Sequence, residues 1–215
     1  MNGRVLGLLL AGLLRAAPLA AQLPQFLGSV DLGLARQHFA SSYPGGAESL
    51  TGALMYGQVG IALRPLAVDV SYAQGRLASS SASAAARSVA EASILVSGRV
   101  TPWLLLKAGP HLRAYSAPGS TERWVTWEAH AHADEEVIAG VLAASLEGWV
   151  AVIANANVDP GGSGARGAEA GVTMRIPGSA LWARLAYAVD QASLKSGART
   201  EALQSVLVSV GVGGR

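Results

Sequence analysis

The chain has 215 residues, of which 51% are hydrophobic and only 14% charged, with no cysteine and a formal net charge of +2. Lack of cysteine excludes a disulfide scaffold, a thiolate metal site and a cysteine-linked lipid anchor. Near-neutrality without a Lys/Arg cluster excludes a nucleic-acid binder, whose affinity comes from cations that displace counterions from phosphate.

The first 21 residues read as an export signal. Arg4 gives a positive start, residues 5–14 form an apolar run too short for a membrane span, and residues 16–21 are rich in small side chains before Gln22. The expectation is a signal peptide at 1–21 and a single domain at 22–215. Its removal takes Arg4 and Arg15 and no acid, leaving equal numbers of basic and acidic residues. No later segment approaches the ~20 consecutive apolar residues of a membrane helix, yet soluble domains usually carry about 25% charged residues. Apolar residues dispersed in alternation would reconcile the two facts.

Alternation runs through the rest. Val30, Leu32 and Leu34 interleave with Asp31, Gly33 and Ala35; Met55, Val59 and Ile61 with Tyr56, Gln58, Gly60 and Ala62; Leu66, Val68, Val70 and Tyr72 with Ala67, Asp69, Ser71 and Ala73. Ala92, Ile94, Val96 and Val100 oppose Glu91, Ser93, Ser97 and Arg99, and Leu104, Leu106, Ala108 and Leu112 oppose Lys107, Gly109, His111 and Arg113. Val172, Met174 and Ile176 oppose Gly171, Thr173 and Arg175; Leu181, Leu185, Tyr187 and Val189 oppose Trp182, Arg184, Ala186 and Asp190; Val206, Val208, Val210 and Val212 oppose Ser205, Leu207, Ser209 and Gly211. Each segment thus has one greasy and one small-or-polar face.

Short turns at Arg64-Pro65, Thr101-Pro102, Glu147-Gly148 and Pro177-Gly178 alternate with longer small or polar loops near residues 41–49, 77–87, 116–122, 159–167 and 192–200. That spacing predicts about ten antiparallel strands. Residues 122–148 exceed the ~9 to 11 residues of one crossing. They read as one long strand whose part 124–134 rises above a membrane, with a bulge at Glu135-Glu136. Eight strands with an external hairpin, or a helix over 134–146, are the alternatives.

With its signal, alternating strands, short turns and closing Leu207-Val208-Ser209-Val210-Gly211-Val212, the mature chain resembles the small outer-membrane β-barrels of diderm bacteria. The resemblance implies an all-β, single up-and-down antiparallel transmembrane barrel of about ten strands in the bacterial outer membrane. Its partners would be outer-membrane lipid and the barrel insertion machinery, and it would be monomeric.

The polar faces carry both signs, with Asp31, Asp69, Glu91, Glu169 and Asp190 against Arg99, Lys107, Arg113, Arg175 and Arg184, which predicts a lumen crossed by ion pairs. Glu128, His130, His132 and Asp134 share one face of an extended segment and are the candidate metal ligands, without a third ligand from another strand. A hydrolase would need a serine beside a histidine and an acid, and none is placed so. The glycine-rich residues 159–167 lack the spacing of a phosphate loop. No catalytic residue and no cofactor are expected. The function expected is structural or loop-mediated, with a closed or very narrow lumen. The alternative is a soluble periplasmic barrel with the greasy parity turned inward around a small apolar ligand, and less favoured still a barrel hydrolase or metal-binding barrel.

Overall fold

A computed structural model describes residues 28–63, 65–79, 85–158 and 161–213. The signal peptide expected at 1–21 lies outside them. The period-two segments become ten strands: β1 (Gly28–Tyr43), β2 (Gly46–Leu63), β3 (Leu66–Ala78), β4 (Arg87–Thr101), β5 (Leu104–Ala117), β6 (Ser120–Ile138), β7 (Leu142–Ala156), β8 (Gly162–Arg175), β9 (Leu181–Leu194) and β10 (Thr200–Gly213). Each pairs antiparallel with its sequence neighbours, and β1 pairs with β10 from Ser29↔Gly213 to Ser42↔Thr200, closing the barrel. The up-and-down ten-strand expectation holds.

The strand boundaries differ from the expected ones. Residues 122–148 are not one strand: the chain reverses at Ala139-Gly140-Val141, where Gly140 takes φ 68°, and β6 and β7 pair from Trp124↔Ala156 to Ile138↔Leu142. Glu147-Gly148 is mid-strand, opposite His132 and Ala131. The residues around the reversal are nearly all small or apolar, so composition did not mark it. Register shifts fall at Trp127/Glu128 and Glu136/Ile138, and the helix over 134–146 does not form.

Two expected long loops, 41–49 and 116–122, are instead tight reversals at Pro44-Gly45 and Pro118-Gly119, with φ of 98° and 82° at the glycines. Proline presets the second position of such a turn and glycine supplies the positive φ of the third. The glycine-rich segment is likewise mostly strand, from Gly162 onward. All ten strands run 13 to 19 residues, more than one bilayer crossing requires. They therefore project beyond the membrane at the end that holds the β1–β2, β3–β4, β5–β6, β7–β8 and β9–β10 connections, termed here the loop end; the other is the turn end.

Polarity inverts along the strands. Over most of each strand the greasy parity faces out: Val206, Val208 and Val210 are 44–55% exposed, while Ser209 between them is 2% exposed. That orientation is the reverse of what a soluble barrel around an apolar ligand needs. At the loop end the relation flips. Phe39, Leu50, Leu54, Leu77, Val89, Tyr115, Trp124, Leu194 and Leu203 point inward and form a buried cluster, while Arg36, His38, Gln74, Arg76, Arg123, Arg166, Gln191 and Gln204 are exposed. Inward glycines make room for it: a Cβ at Gly52 or Gly75 would collide with the carbonyl of Arg76 or Ala53 on the paired strand. At the turn end the lumen is instead a cavity of about 790 Å³ whose wall mixes charged side chains such as Arg99, Lys107, Glu147 and Arg184 with small and apolar ones. Trp103, Trp127 and Tyr187 are exposed, whereas Trp124 and Trp182 are buried, so any aromatic girdle is sparse.

The inversion gives a depth-dependent prediction. Val208→Arg, near the middle of the apolar band, should cost ~2–4 kcal/mol of stability in lipid, and Gln204→Arg, two outward positions nearer the loop end, about 0–1 kcal/mol. Urea unfolding of the two variants in phospholipid vesicles checks this. Equal costs would contradict the placement of the band.

Candidate functional site

The charged side chains of the inward parity meet across the lumen, as expected, and their order follows the strand register. Near the turn end Arg99 on β4 holds Asp134 on β6 at 3.2 Å, and Arg175 on β8 holds Glu136 at 2.9 Å. Next, Lys107 on β5 reaches Glu147 on β7 at 2.6 Å, and Arg184 on β9 reaches Glu169 on β8 at 2.5 Å. Closest to the apolar cluster, Arg113 on β5 bridges Glu91 (3.0 Å) and Asp190 (2.8 Å), with Gln37 donating to Glu91 and the Trp149 indole to Asp190. A cation between two anions from different strands is the arrangement that makes buried charge tolerable.

The four candidate ligands do share one face, and that face is the lumen wall. Glu128, His130 and His132 have side chains 4%, 9% and 14% exposed. The expectation that they stand solvated above the membrane is corrected: moving the reversal to 139–141 draws this part of β6 down among outward apolar neighbours. Glu147, assigned from sequence to a turn, is the partner that reasoning missed. It accepts from His130 Nδ1 at 2.7 Å and His132 Nδ1 at 2.9 Å, besides Lys107. The other nitrogen of His130, Nε2, lies 3.1 Å from Glu128, which also accepts from Thr126 at 2.6 Å and lies 2.9 Å from His111 Nδ1. Both nitrogens of His130 are thus engaged by carboxylates, leaving no lone pair aimed at open space. Among the described residues no group of three or more such side chains is arranged to hold a metal ion. Asp134 is turned to Arg99.

Among the described residues the lumenal histidines make no hydrogen bond to a hydroxyl. Thr126 gives its hydroxyl proton to Glu128 or lies near the His111 carbonyl, not its imidazole. His38 is on the outer wall of β1, 3.2 Å from Thr51 Oγ1.

At the loop end a second charged group sits beside the apolar cluster. Arg199 forms ion pairs with both Glu122 and Glu201. Glu201 is 7% exposed. Burial first, and then the neighbouring Glu122 carboxylate, push its carboxyl up to about 7, against the opposing pull of Arg199 and the weaker one of Arg113. Its outward neighbour Ala202 stands beyond Gln204, outside the apolar band.

A closed antiparallel barrel, apolar outside and charged within, defines the chain as a transmembrane β-barrel of the outer-membrane type. No protein-family model and no curated protein matches the sequence. Solved structures to which it is similar are themselves membrane barrels. The translocator domain of the autotransporter NalP from Neisseria meningitidis shares 12% identity at a TM-score of 0.45, over 94% of this chain and 93% of that one. The COG4313 outer-membrane channel from Pseudomonas putida F1 shares 10% at 0.48, over 88% and 96%. Neisserial surface protein A shares 14% at 0.41, over 87% and 97%. At this level of similarity the class follows from the barrel's own distribution of polar and apolar side chains.

Two outcomes are expected from the charged groups. Arg113→Met strands Glu91 and Asp190 and should cost about 3–5 kcal/mol, partly recovered by adding Glu91→Gln and Asp190→Asn; a neutral single variant in urea unfolding would contradict the bridge. For Glu201, a folded value of about 7 above the ordinary 4.5 means that the folded state favours the protonated form. Its stabilisation is full below pH ~4.5 and is lost as pH rises through about 7. Thermal unfolding in detergent should therefore show a stability decline between pH 5 and 8 that Glu201→Gln flattens.

Proposed function

We propose that this protein is a non-enzymatic, non-conducting barrel of the bacterial outer membrane that presents its loop end to the exterior as a rigid surface for contact. The observation that carries the reading is the apolar cluster around Phe39, Leu54, Leu77 and Leu203, which fills the lumen just where the outer wall becomes polar. An ion finds no hydrated path through such a cluster, and the mixed signs of the charges below it do not favour either ion. The non-enzymatic reading is supported by the lumenal histidines being bonded to carboxylates and by the hydroxyl beside them, that of Thr126, being given to Glu128.

The role is architectural. Closure satisfies the backbone inside lipid, and the projecting strand ends hold the loop-end surface at a fixed height. The barrel acts as a monomer: β1 and β10 satisfy each other, so no strand edge is left to pair with a second copy. Its remaining partners are the lipid around it and the machinery that inserts barrels.

Planar-bilayer recording tests the proposal. The unmodified protein should give no steady conductance, while Phe39→Ala with Leu203→Ala, which empties the cluster, should give channel events and lower stability by roughly 3–5 kcal/mol or more. Large stable openings in the unmodified protein would overturn the non-conducting reading.

A further inference from the structure

Along the outer wall at the loop end, charge is one-signed. Arg36 on β1 comes directly after outward Leu34; Arg76 on β3 follows Tyr72 and Gln74; Arg123 on β6 precedes Val125; Arg166 on β8 precedes Ala168. All four are exposed, and each stands one or two outward positions beyond the apolar band of its own strand. Every described carboxylate of that end lies on the inward parity and already has a cation: Glu48 with Arg87, Glu122 and Glu201 with Arg199, Glu91 and Asp190 with Arg113. Among the described residues none of the four guanidinium groups makes an ion pair, and only that of Arg166 donates to a neighbouring side chain, Gln191 at 3.2 Å. The turn end is different. There the exposed charges are mixed, with Glu135 exposed and Arg175 paired to Glu136.

We propose that these four arginines are a belt that binds the exposed phosphate groups of anionic lipid headgroups in the leaflet at the loop end, in preference to a zwitterionic headgroup whose phosphodiester is offset by its own ammonium group. The inference rests on the membrane reading above and adds the chemistry of the lipid. A guanidinium matches phosphate with two parallel N–H donors, and it keeps its charge at any accessible pH. Placed at the border of the apolar band, it meets headgroups at the depth where their phosphates lie. Arg36 and Arg76 both pair in register with Ala53, one on each side. Two strand spacings therefore separate them by ~10 Å, with only a methyl group between, a gap suited to one phosphate reached from both sides. Gln74, Gln191, Gln204 and Thr51 stand nearby as exposed or half-exposed partners for the hydroxyl groups of a headgroup. Each cationic side chain near an anionic membrane surface favours association roughly fivefold, so the belt would distinguish phosphorylated anionic lipid from zwitterionic lipid.

The test compares the unmodified protein with a variant carrying Arg36→Gln, Arg76→Gln, Arg123→Gln and Arg166→Gln. Both are refolded into phosphatidylcholine vesicles and into the same vesicles containing a bisphosphorylated glycolipid. In phosphatidylcholine the two should unfold at the same urea concentration. The glycolipid should raise the midpoint of the unmodified protein, the variant should lose most of that rise, and ~1 M salt, where the screening length falls to about 3 Å, should shrink it. Inorganic phosphate in the buffer should change neither protein. Should the fourfold variant not refold, Arg36→Gln with Arg76→Gln alone should remove about half of the rise. An equal rise in both proteins, no rise in the unmodified one, or a rise reproduced by inorganic phosphate would overturn the belt while leaving the membrane reading intact. Failure of the unmodified protein to fold into phosphatidylcholine vesicles would overturn the membrane reading, and the belt with it.

Discussion

The seam between the first and last strands is the constraint on which the rest depends. A backbone N–H or C=O left without a partner in hydrocarbon costs several kcal/mol, so no strand can remain open at an edge. Pairing β1 with β10 over fourteen positions removes both edges at once. Once the sheet is closed, every residue must face either the surroundings or the lumen, and the period-two pattern becomes a sorting rule. Val208 goes to lipid and Ser209 to the interior because they are adjacent in a strand of a closed sheet.

The sorting rule is applied twice, with opposite results. Within the bilayer the surroundings are apolar, so charges are pushed inward, where Arg113, Lys107, Arg184 and Arg99 each find a carboxylate on another strand. Beyond its hydrocarbon the surroundings are headgroups and water, so Arg36, Arg76, Arg123 and Arg166 turn outward and Phe39, Leu50, Leu54 and Leu77 turn in. The same ten strands thus form a membrane barrel at one end and a soluble-type barrel, with its own hydrophobic core, at the other.

The architecture was legible because a membrane face leaves its mark on every second residue: strand number, antiparallel order, the outward parity of Val206 to Val212 and the inward ion pairs all follow from the alternation. What escaped was the place where alternation changes meaning. Phe39 and Leu50 lie in segments that look like loop approaches, and Pro44-Gly45 looks like the middle of a loop until it is seen to join two strands that continue through it. The histidine face was recognised, but its depth was not. Ala139-Gly140-Val141 has no proline or polar cluster to announce a reversal, so Glu147, the side chain that gathers Lys107, His130 and His132, was assigned to a turn. Pairing across strands is long-range information that a local pattern does not carry.

The core at the loop end also changes what holds the molecule together when lipid is stripped away. In the membrane-spanning half, the outer wall relies on acyl chains or detergent, and the lumen beneath it is hollow toward the turn end. The upper half is cohesive in itself, because Phe39, Leu54, Leu77, Trp124 and Leu203 pack against one another. Amide hydrogens in a single strand are thus guarded by two different reservoirs of stability. Those flanking the core would exchange at rates set by the protein, and those nearer the turns at rates set by the amphiphile around them, so that one continuous sheet would divide into two zones of hydrogen exchange.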